Sequence, residues 1–584
     1  MAVVSGTKEF GSRADRDIGI VPPFKLLSLS ATGRAKPTSS AGTATSVFRL
    51  EDGDISDTIV EDRLSAKKAL RFVNIDGDKD ALAEALSRQA WMLSEDGRKP
   101  IRCLVYCDSR EIAEKVKASL DKFAAPDKKA SDPKADTELF IGARRIKERE
   151  DAKTWLENHG FLAGSAPSAK PAFLVATSAG EVGIDLDADH MVCDLVSWER
   201  MVQRLGRVNR RGRGNALITV VYGDEPKPKK PDAPTNQEMR QAVGFNSLAV
   251  LQELLNSEDG KDASPSALRE LRLRAETNEA LRRKIDEATT PDPLHPALTR
   301  AQVDAWAMTS LEKHTGRPKV APWLRGWVED DYQTTVIWRT HLPVREGVAD
   351  WPRTSAEKKE VEAFFEAAPP HESEKLETET YRVADWLQDR AKVLLRHKTN
   401  APGEQTEGVA TETSATEAGG AAQAQVQPAA SQAKTLRSND IAVFILSSDG
   451  SYAGRSTIHD LAEQRKGGAK EELFKALAEQ VLVVDVRFGG LLGGMLDPKA
   501  DNAFATADTC DAWRKEAGLR VRRVTPEEYE SKEHDWRFED DFVLRSDGNG
   551  DPEEWLVVEH YKSTAQSEDA RSVSRPQELG EHQS

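Results

Sequence analysis

The sequence is poor in cysteine and contains no long run of apolar residues. Its four cysteines are Cys103, Cys107, Cys193 and Cys510, and their spacing gives neither a disulfide framework nor a set of zinc ligands. A helix that spans a bilayer needs about 20 apolar residues, and no such run occurs. The N-terminal stretch also lacks the apolar centre of a secretory signal. We therefore expect a cytoplasmic protein without a membrane partner, with small buried thiols.

Positive charge is also in deficit, but it is concentrated locally. The net charge is -16 over 584 residues, a length that suggests about three or four domains. An acidic total argues against a protein that coats nucleic acid, although counter-ion release at a local basic groove depends only on the contacting charges. Residues 199–214, ERMVQRLGRVNRRGRG, carry six arginines. We expect an anionic ligand to contact this segment.

Short apolar runs alternate with amphipathic helical stretches over the first 223 residues. Residues 101–120 are typical of a strand followed by a helix, with Asp108 or Ser109 as N-cap. This alternation predicts a doubly wound parallel sheet. The predicted strands lie within 24–34, 101–107, 172–177, 191–195 and 216–223.

The arginine-rich segment has the donors that a polyphosphate requires. If it is helical, Gln203, Arg207 and Arg210 lie three and four residues apart and share one face. Arginine stays charged and offers a fixed fork of N–H donors, and Gly206 allows close approach of a neighbouring backbone. The alternative is a solvated basic helix end that the helix dipole favours.

Two upstream segments place small polar residues at the ends of predicted strands. In ATSAGEVGIDLD, Thr177 can hydrogen-bond a phosphate oxygen, and Asp185, after Gly183, can accept from a ribose hydroxyl or hold an arginine. Ser30 and Thr32 belong to a second such segment, SAT. Ligands of open α/β sheets bind beyond the carboxyl ends of the strands, so we expect these segments to contribute to a site.

The order of these segments resembles the superfamily-two helicases. In that family, motif III typically reads Ser-Ala-Thr, motif V holds a Thr and a Gly-x-Asp, and motif VI reads Gln-x-x-Gly-Arg-x-x-Arg. Residues 181–212 are similar, more narrowly, to the helicase-nuclease of type I CRISPR systems. Residues 297–327 resemble the region after the helicase core in the subtype whose nuclease domain is C-terminal. The resemblance spans roughly Phe24 to Arg339.

The resemblance implies ATP-dependent DNA unwinding, with ATP and Mg²⁺ bound. Arg207 and Arg210 would be arginine fingers that stabilise the charge developing on the γ-phosphate. Gln203 would contact the same phosphate, and Gly183 and Asp185 would line the nucleotide.

The resemblance also implies the nucleic-acid contacts and the partners. Thr177 would grip the DNA backbone, and Ser30 and Thr32 would couple hydrolysis to strand movement. Binding would be independent of base sequence. The implied partners are single-stranded DNA, an N-terminal helicase lobe and a guide-RNA surveillance complex.

Two parts of the family pattern do not occur in the sequence. A phosphate-cradling loop Gly-x-x-x-x-Gly-Lys-[Ser/Thr] should precede motif III, but residues 3–12, VVSGTKEFGS, lack that spacing. No Asp-Glu-x-His box, whose acids hold magnesium, is present. We therefore expect a fragment, from a truncated, frameshifted or split gene, that begins near motif III and has no ATPase activity alone.

The sequence gives little support for a nuclease metal site. His459-Asp460 and His534-Asp535 are the candidate dipeptides. Thr457 to Asp460 fits a helix capping box instead, and no second histidine lies near His534 at a metal-ligand spacing. We predict no metal site here, although the final ELGEHQS resembles the entry to the family's nuclease domain.

The predicted fold class is α/β, with a RecA-like parallel sheet (the second helicase lobe), a helical accessory region and a small C-terminal α/β domain. The segment between the last two is rich in Ala, Gly, Thr, Gln and Glu and has no aromatic residue, which predicts disorder. The predicted domains are a remnant of the first lobe with motif III (1–45), the second lobe with motifs V and VI (46–225), the Trp-rich accessory region (226–398), a linker (399–439) and the α/β domain (440–584).

Several alternatives remain at this stage. The tryptophans between residues 306 and 351 predict a small packed core, with base stacking as the other possibility. The chain could also be a non-catalytic RecA-like module that binds nucleic acid or a protein, or part of an RNA helicase. Nucleotide titration, and unwinding assays on DNA and RNA, separate these hypotheses.

Overall fold

Among the described residues, six parallel strands extended by an antiparallel hairpin form the sheet of the first of two units in this computed structural model. The first unit comprises Met1–Gly142 and Ala152–Asp330, and the second comprises Ala143–Asp151 and Asp331–Ser584. The structure describes residues 50, 52–126, 133–162, 169–181, 183–230, 232, 234–291, 295–308, 317–318, 320, 322–323, 332–345, 354–399, 436–463, 475–500, 518–530, 538–545 and 554–561.

The parallel strands confirm the predicted RecA-like α/β fold. Their order across the sheet is β3-β4-β2-β5-β6-β1, followed by the antiparallel strands β8 and β7. In chain order they are β1 (Lys67–Asn74), β2 (Arg102–Tyr106), β3 (Asp136–Phe140), β4 (Ala172–Ala176), β5 (His190–Asp194), β6 (Asn215–Tyr222), β7 (Asn256–Ser257) and β8 (Gly260–Asp262).

Helices join these strands and continue beyond them. Of the two candidate N-caps, Asp108 and Ser109, the structure has Ser109, whose hydroxyl accepts a hydrogen bond from the Ile112 N–H. The stretch from 236 to 307 is mainly helical, as expected, apart from the β7–β8 hairpin. The helices are α1 (Asp52–Ile55), α2 (Thr58–Leu64), α3 (Lys79–Leu93), α4 (Arg110–Ala124), α5 (Ile146–Asn158), α6 (Trp198–Leu205), α7 (Asn236–Leu251), α8 (Pro265–Thr277), α9 (Glu279–Glu287) and α10 (Arg300–Ala307).

Besides the β7–β8 hairpin, two parallel strands of this sheet were not predicted, and charge explains both. β1 includes Lys67, Lys68 and Arg71, which made it look like an exposed segment. Lys68 is nevertheless buried, and its Nζ donates a hydrogen bond to the Leu205 carbonyl at 2.8 Å. β3 is a short edge strand that begins with Asp136. By contrast, the apolar strand β4 is buried at every position, as expected for a strand covered on both faces.

Three cysteines behave as predicted. Cys103, Cys107 and Cys193 are free and buried in the first unit, and burial raises the pKa of each thiol. Cys510 lies outside the described residues.

In the second unit, strands from both sides of the predicted linker share one five-stranded sheet. Its order is β12-β9-β15-β13-β14, with β9 and β15 parallel. A three-stranded antiparallel sheet follows, in the order β18-β20-β19. The strands are β9 (Gln333–Arg339), β10 (Val344–Arg345), β11 (Thr354–Ser355), β12 (Leu376–Glu379), β13 (Ile441–Leu446), β14 (Tyr452–Thr457), β15 (Val481–Asp485), β16 (Leu491–Leu492), β17 (Met495–Leu496), β18 (Leu519–Val524), β19 (Phe538–Leu544) and β20 (Trp555–Tyr561).

Each face of the five-stranded sheet has its own apolar core. On one face, Trp338 packs at 5.7 Å against Trp386 of the long helix α12. On the other, Ile337 and Phe444 pack with Phe364 and with the three-stranded sheet. The helices of this unit are α11 (Lys358–Ala367), α12 (Thr380–Thr399), α13 (Ile458–Glu463) and α14 (Pro526–Glu530).

The predicted capping box is confirmed. The Asp460 carboxylate accepts from the N–H and the hydroxyl of Thr457, whose Oγ1 in turn accepts from the Asp460 N–H. Within the described residues there is no group of three metal-binding side chains, and no helix there is both long and apolar enough to cross a membrane.

Of the tryptophans predicted to pack, Trp306 and Trp323 meet edge to face at 5.2 Å, and Trp338 is fully buried. Several other predictions fall outside the described residues: residues 1–45, nearly all of the 399–439 linker, Trp327, Trp351, His534-Asp535 and the final ELGEHQS.

Candidate active site

The arginine-rich segment begins as helix α6 and continues as a tight loop. The helix ends at Leu205, where Gly206 is its C-cap. The prediction of one helical segment from Gln203 to Arg210 is therefore wrong, and both Arg207 and Arg210 follow the helix. They come close to the preceding motif through the loop and not through helical spacing.

Residues 206–214 are held in a defined shape. Asn209 and Gly212 have positive φ angles of 42° and 71°. The Asn209 side chain accepts from the Gly214 N–H at 3.1 Å and donates to the Lys67 carbonyl at 3.0 Å. A Cβ atom on Gly212 would overlap the carbonyl oxygen of Asp62, so only glycine fits there. The loop is pre-organised on the start of β1.

The first two arginines of the segment point into the protein. Arg204 is fully buried; its Nε donates to Glu181 Oε1 at 2.7 Å and its Nη1 to Asp194 Oδ1 at 3.0 Å. Arg200 donates to Glu181 Oε2 at 2.9 Å and to Asp108 Oδ1 at 2.6 Å. These contacts connect α6 to residues at or just after the ends of β2, β4 and β5.

The surroundings act differently on the two acids that Arg204 contacts, and burial raises the pKa of the Asp194 carboxyl to about 6. Burial opposes the charge on Glu181, but Arg204 and Arg200 outweigh it and hold the pKa of the Glu181 carboxyl below its usual value. The Arg204 guanidinium also lies 5.0 Å from the ring centre of Tyr106, whose hydroxyl donates to the Gly180 carbonyl at 2.7 Å.

The next two arginines reach the surface. The Nη2 of Arg207 donates to the carbonyl oxygen of Glu181 at 2.6 Å, and Arg207 is partly buried. Arg210 pairs with Asp185, and these side chains are 40% and 58% exposed. The Arg210 N–H also donates to Asp187 Oδ1 at 2.9 Å.

Main-chain hydrogen bonds fix the two segments against each other. The Ala188 N–H donates to the Arg207 carbonyl at 3.1 Å, and the Asn209 N–H donates to the Ala188 carbonyl at 2.8 Å. Gly183 has a φ of 87°, and a Cβ built on it would meet open space. The structure thus brings Arg207 and Arg210 onto the connection that carries Gly183 and Asp185.

The remaining predicted residues lie elsewhere. Thr177 follows the carboxyl end of β4, is 8% exposed, and its N–H donates to the Phe140 carbonyl at 3.2 Å. Neither its hydroxyl nor the Gln203 side chain bonds to another described residue. Ser30 and Thr32 lie outside the described residues.

Thr177 and the Gly183–Asp185 segment lie at different points of the connection between β4 and β5. The connection from Thr177 to Asp189 runs from the carboxyl end of β4 to the amino end of β5, while α6 returns from the carboxyl end of β5 to the start of β6. Thr177 therefore lies at the carboxyl edge of the sheet. The Arg207 guanidinium reaches back to Glu181 near that edge, whereas Arg210 pairs with Asp185 farther along the connection to β5.

Sequence reasoning missed the charged residues that hold this arrangement together. Glu181, Arg200, Arg204 and Asp194 were given no role, and Asp108 was considered only as a helix N-cap. The four-residue spacing of Arg200 and Arg204 marked a shared helix face, but it gave no sign that this face would be buried. That information depends on long-range contacts.

The family described as "CRISPR-associated nuclease/helicase Cas3, C-terminal" matches residues 103–213. Residues 103–213 therefore match a Cas3-like C-terminal helicase domain. This domain contains β2 to β5, helix α6 and the whole arginine-rich loop to Arg213.

Similar proteins include ATP-dependent DNA helicases. The helicase MPH1 of Coccidioides immitis is 29% identical over 160 residues, which is 26% of this chain and 13% of that protein. The helicase fml1 of Schizosaccharomyces pombe is 28% identical over 133 residues, which is 22% of this chain and 14% of that protein. The chain therefore matches about one seventh of the length of these curated relatives.

Solved structures similar to the chain include the crystal structure of T. fusca Cas3-ATP. The sequence identity is 15% and the TM-score is 0.33, with 54% of this chain and 36% of that chain covered.

Replacing Arg204 should destabilise the helicase domain. We expect Arg204→Met to lower the free energy of unfolding by about 3–5 kcal/mol, because Asp194 would remain buried without its cation. Amide hydrogen exchange of β4 and β5 measures the effect. Arg88→Met is the matched control, since Arg88 and its partner Glu84 are 64% and 66% exposed. Equal protection in the two variants would contradict a structural role for the buried network.

The arginine-rich loop should tolerate no side chain at Gly212. Gly183→Ala adds only the strain of a left-handed alanine, about 1–2 kcal/mol. Gly212→Ala adds the same strain and an overlap with the Asp62 backbone, and we expect a total of about 3 kcal/mol or more. Proteolytic susceptibility across a urea series measures both. The prediction fails if the two alanine variants open equally easily.

Proposed function

We propose that this chain supplies the second RecA-like lobe of an ATP-dependent DNA helicase or translocase that acts in CRISPR interference in the cytoplasm. The Cas3-like match over residues 103–213 supports the family, and the relatives that are DNA helicases favour DNA over RNA. The proposed second lobe is the predicted one, with motifs V and VI between residues 46 and 225. The regions on the two sides of the predicted linker are proposed as one domain, because their strands pair in one sheet.

One observation carries the proposal. Of the first four arginines in the segment, Arg200 and Arg204 both pair with the buried Glu181 carboxylate, whereas Arg207 and Arg210 extend beside the Gly183–Asp185 connection. Two partly exposed guanidinium groups beside a glycine-containing connection are suited to contact an anion.

We assign these exposed groups to the end of a bound triphosphate. Arg207 and Arg210 would stabilise the charge that develops on the γ-phosphate, and Gln203 would contact the same group. Gly183 and Asp185 would line the nucleotide. The exposed Arg210–Asp185 pair contributes roughly 0–1 kcal/mol, so a phosphate can displace Asp185 at little cost.

The phosphate cradle and the magnesium ligands would come from another lobe. The sequence contains no Gly-x-x-x-x-Gly-Lys-[Ser/Thr] loop or Asp-Glu-x-His box, and the described part of the chain holds no cluster that fits Mg²⁺. The chain's own residues would therefore act on ATP and Mg²⁺ bound by the first lobe.

Single-stranded DNA would contact the carboxyl edge of the sheet. Thr177 lies at the carboxyl end of β4 with a hydroxyl that no described residue engages, so it can donate to a backbone phosphate. Ser30 and Thr32 would couple hydrolysis to strand movement. The further partner would be a guide-RNA surveillance complex that delivers the DNA.

The chain by itself should hydrolyse ATP only at the background rate, with or without single-stranded DNA. Adding a first lobe that carries the phosphate loop should restore DNA-stimulated hydrolysis. Arg207→Ala should then lower the rate by about 10³-fold or more, whereas Arg98→Ala, at an exposed position, should not. Turnover by the chain alone that Arg207→Ala abolished would overturn the assignment of the cradle to another lobe.

Thr177→Val should weaken binding of oligothymidine to the chain by about tenfold, because valine keeps the shape but removes a donor to phosphate. Fluorescence anisotropy provides the measurement. Thr277→Val is the matched control, since the Thr277 hydroxyl bonds its own helix at the Arg274 carbonyl. Equal affinities for all three proteins would rule out a DNA contact at Thr177.

A further inference from the structure

A second group of basic side chains lines a cavity that the proposed helicase roles do not use. The cavity has a volume of about 410 Å³ and lies where β2, β5 and β6 begin. Arg102, His190, Arg211 and Arg213 are among its lining residues, together with Asp187 and Asp189.

One of the basic side chains, Arg102, already has protein partners for its hydrogen-bond donors. Arg102 donates to both carboxylate oxygens of Asp189, at 3.2 and 2.6 Å, and to the Gly160 carbonyl at 2.5 Å. This pair forms a neutral part of the wall and leaves Arg102 little capacity for a ligand.

The other donors are available. Arg211 has only a long contact with Asp187, at 3.9 Å, and Arg213 is exposed and pairs with no described residue. The Leu217 N–H donates to His190 Nδ1 at 3.1 Å, so the neutral imidazole carries its proton on Nε2. Burial lowers the pKa of His190 and keeps the ring neutral near pH 7.

The acids of the cavity do not cancel this positive charge. Asp189 is paired with Arg102, and Asp187 accepts the Arg210 N–H and lies close enough to the buried Lys68 ammonium to oppose the fall in its pKa. Arg213 therefore remains as an uncompensated cation, and Arg211 is only weakly compensated.

The loop holds Arg211 and Arg213 in a fixed geometry, on a different side of the loop from the Arg210–Asp185 pair. Arg210 turns to Asp185, whereas Arg211 and Arg213 line the cavity. Between them, Gly212 packs against the Asp62 backbone and Asn209 ties the loop to Gly214. Ordering the loop therefore adds little to the cost of binding.

We propose that this cavity binds a phosphate group through Arg211, Arg213 and His190 Nε2–H. Guanidinium forks match phosphate oxygens, and a neutral N–H donor completes the set. The phosphate can come from a nucleic-acid backbone or from a mononucleotide, and both offer the same oxygens.

Anisotropy with labelled oligothymidine, and calorimetry with ADP and inorganic phosphate, test the site in the whole chain. We expect Arg211→Gln/Arg213→Gln to raise the dissociation constant of the probe that binds at least tenfold. For DNA, the slope of log K against log salt concentration should fall in magnitude by about one to two. The matched control is Arg88→Gln/Arg98→Gln, which removes the same charge from exposed positions. The His190 ring NMR signal, assigned with His190→Gln, should shift as the probe is added.

The outcomes separate the sources. Loss of oligothymidine binding alone identifies a nucleic-acid backbone, and loss of ADP and phosphate binding identifies a mononucleotide. Equal binding by the double variant and its control, or an unmoved His190 signal at saturation, overturns the proposal. If Thr177→Val and Arg207→Ala show their effects while this double variant shows none, the helicase assignment stands and only the cavity is refuted.

Discussion

The buried guanidinium of Arg204 is the interaction on which the geometry of the helicase domain depends. It joins helix α6 to Glu181 after β4 and to Asp194 at the end of β5. Removing such a group from water costs several kcal/mol, and two carboxylates and the Tyr106 ring are what offset that cost. Because the Glu181 carbonyl also receives the Arg207 guanidinium, the same residue fixes the buried network and one of the exposed arginines.

The six arginines of one short segment thus divide into three pairs with different tasks. Arg200 and Arg204 stabilise the fold, Arg207 and Arg210 extend beside the Gly183–Asp185 connection, and Arg211 and Arg213 line the cavity at the amino edge of the sheet. An acidic chain can carry this basic segment because internal acids compensate the first pair. The positive potential at the surface comes from the other two pairs.

Much of the first unit could be predicted because its strands β2, β4, β5 and β6 are apolar and regularly spaced. β1 was missed because a lysine that looks exposed in sequence, Lys68, is buried against a helix end. The end of α6 was missed because the positive φ of Asn209 depends on contacts with Gly214 and Lys67, which no helical pattern reveals.

In the site, single residues were predictable from motif order, whereas the buried charged residues that hold them in place were not. Thr177, Asp185, Arg207 and Arg210 stand out by spacing, but Glu181 and Asp194 gain their importance only from partners distant in sequence. The second unit shows the same limit on a larger scale. Its sheet pairs β9 with β15 across the predicted linker, so composition alone suggested a boundary between strands that are neighbours.

The parallel pairing of β9 with β15 has a consequence for synthesis. At ribosomal speeds, β15 emerges on the order of ten seconds after β9. During that interval Val336, Ile337 and Trp338, which are fully buried in the finished sheet, have no neighbouring strand on that side. A nascent chain in this condition is a substrate for chaperones, and its yield in a cell depends on how long that apolar edge is shielded.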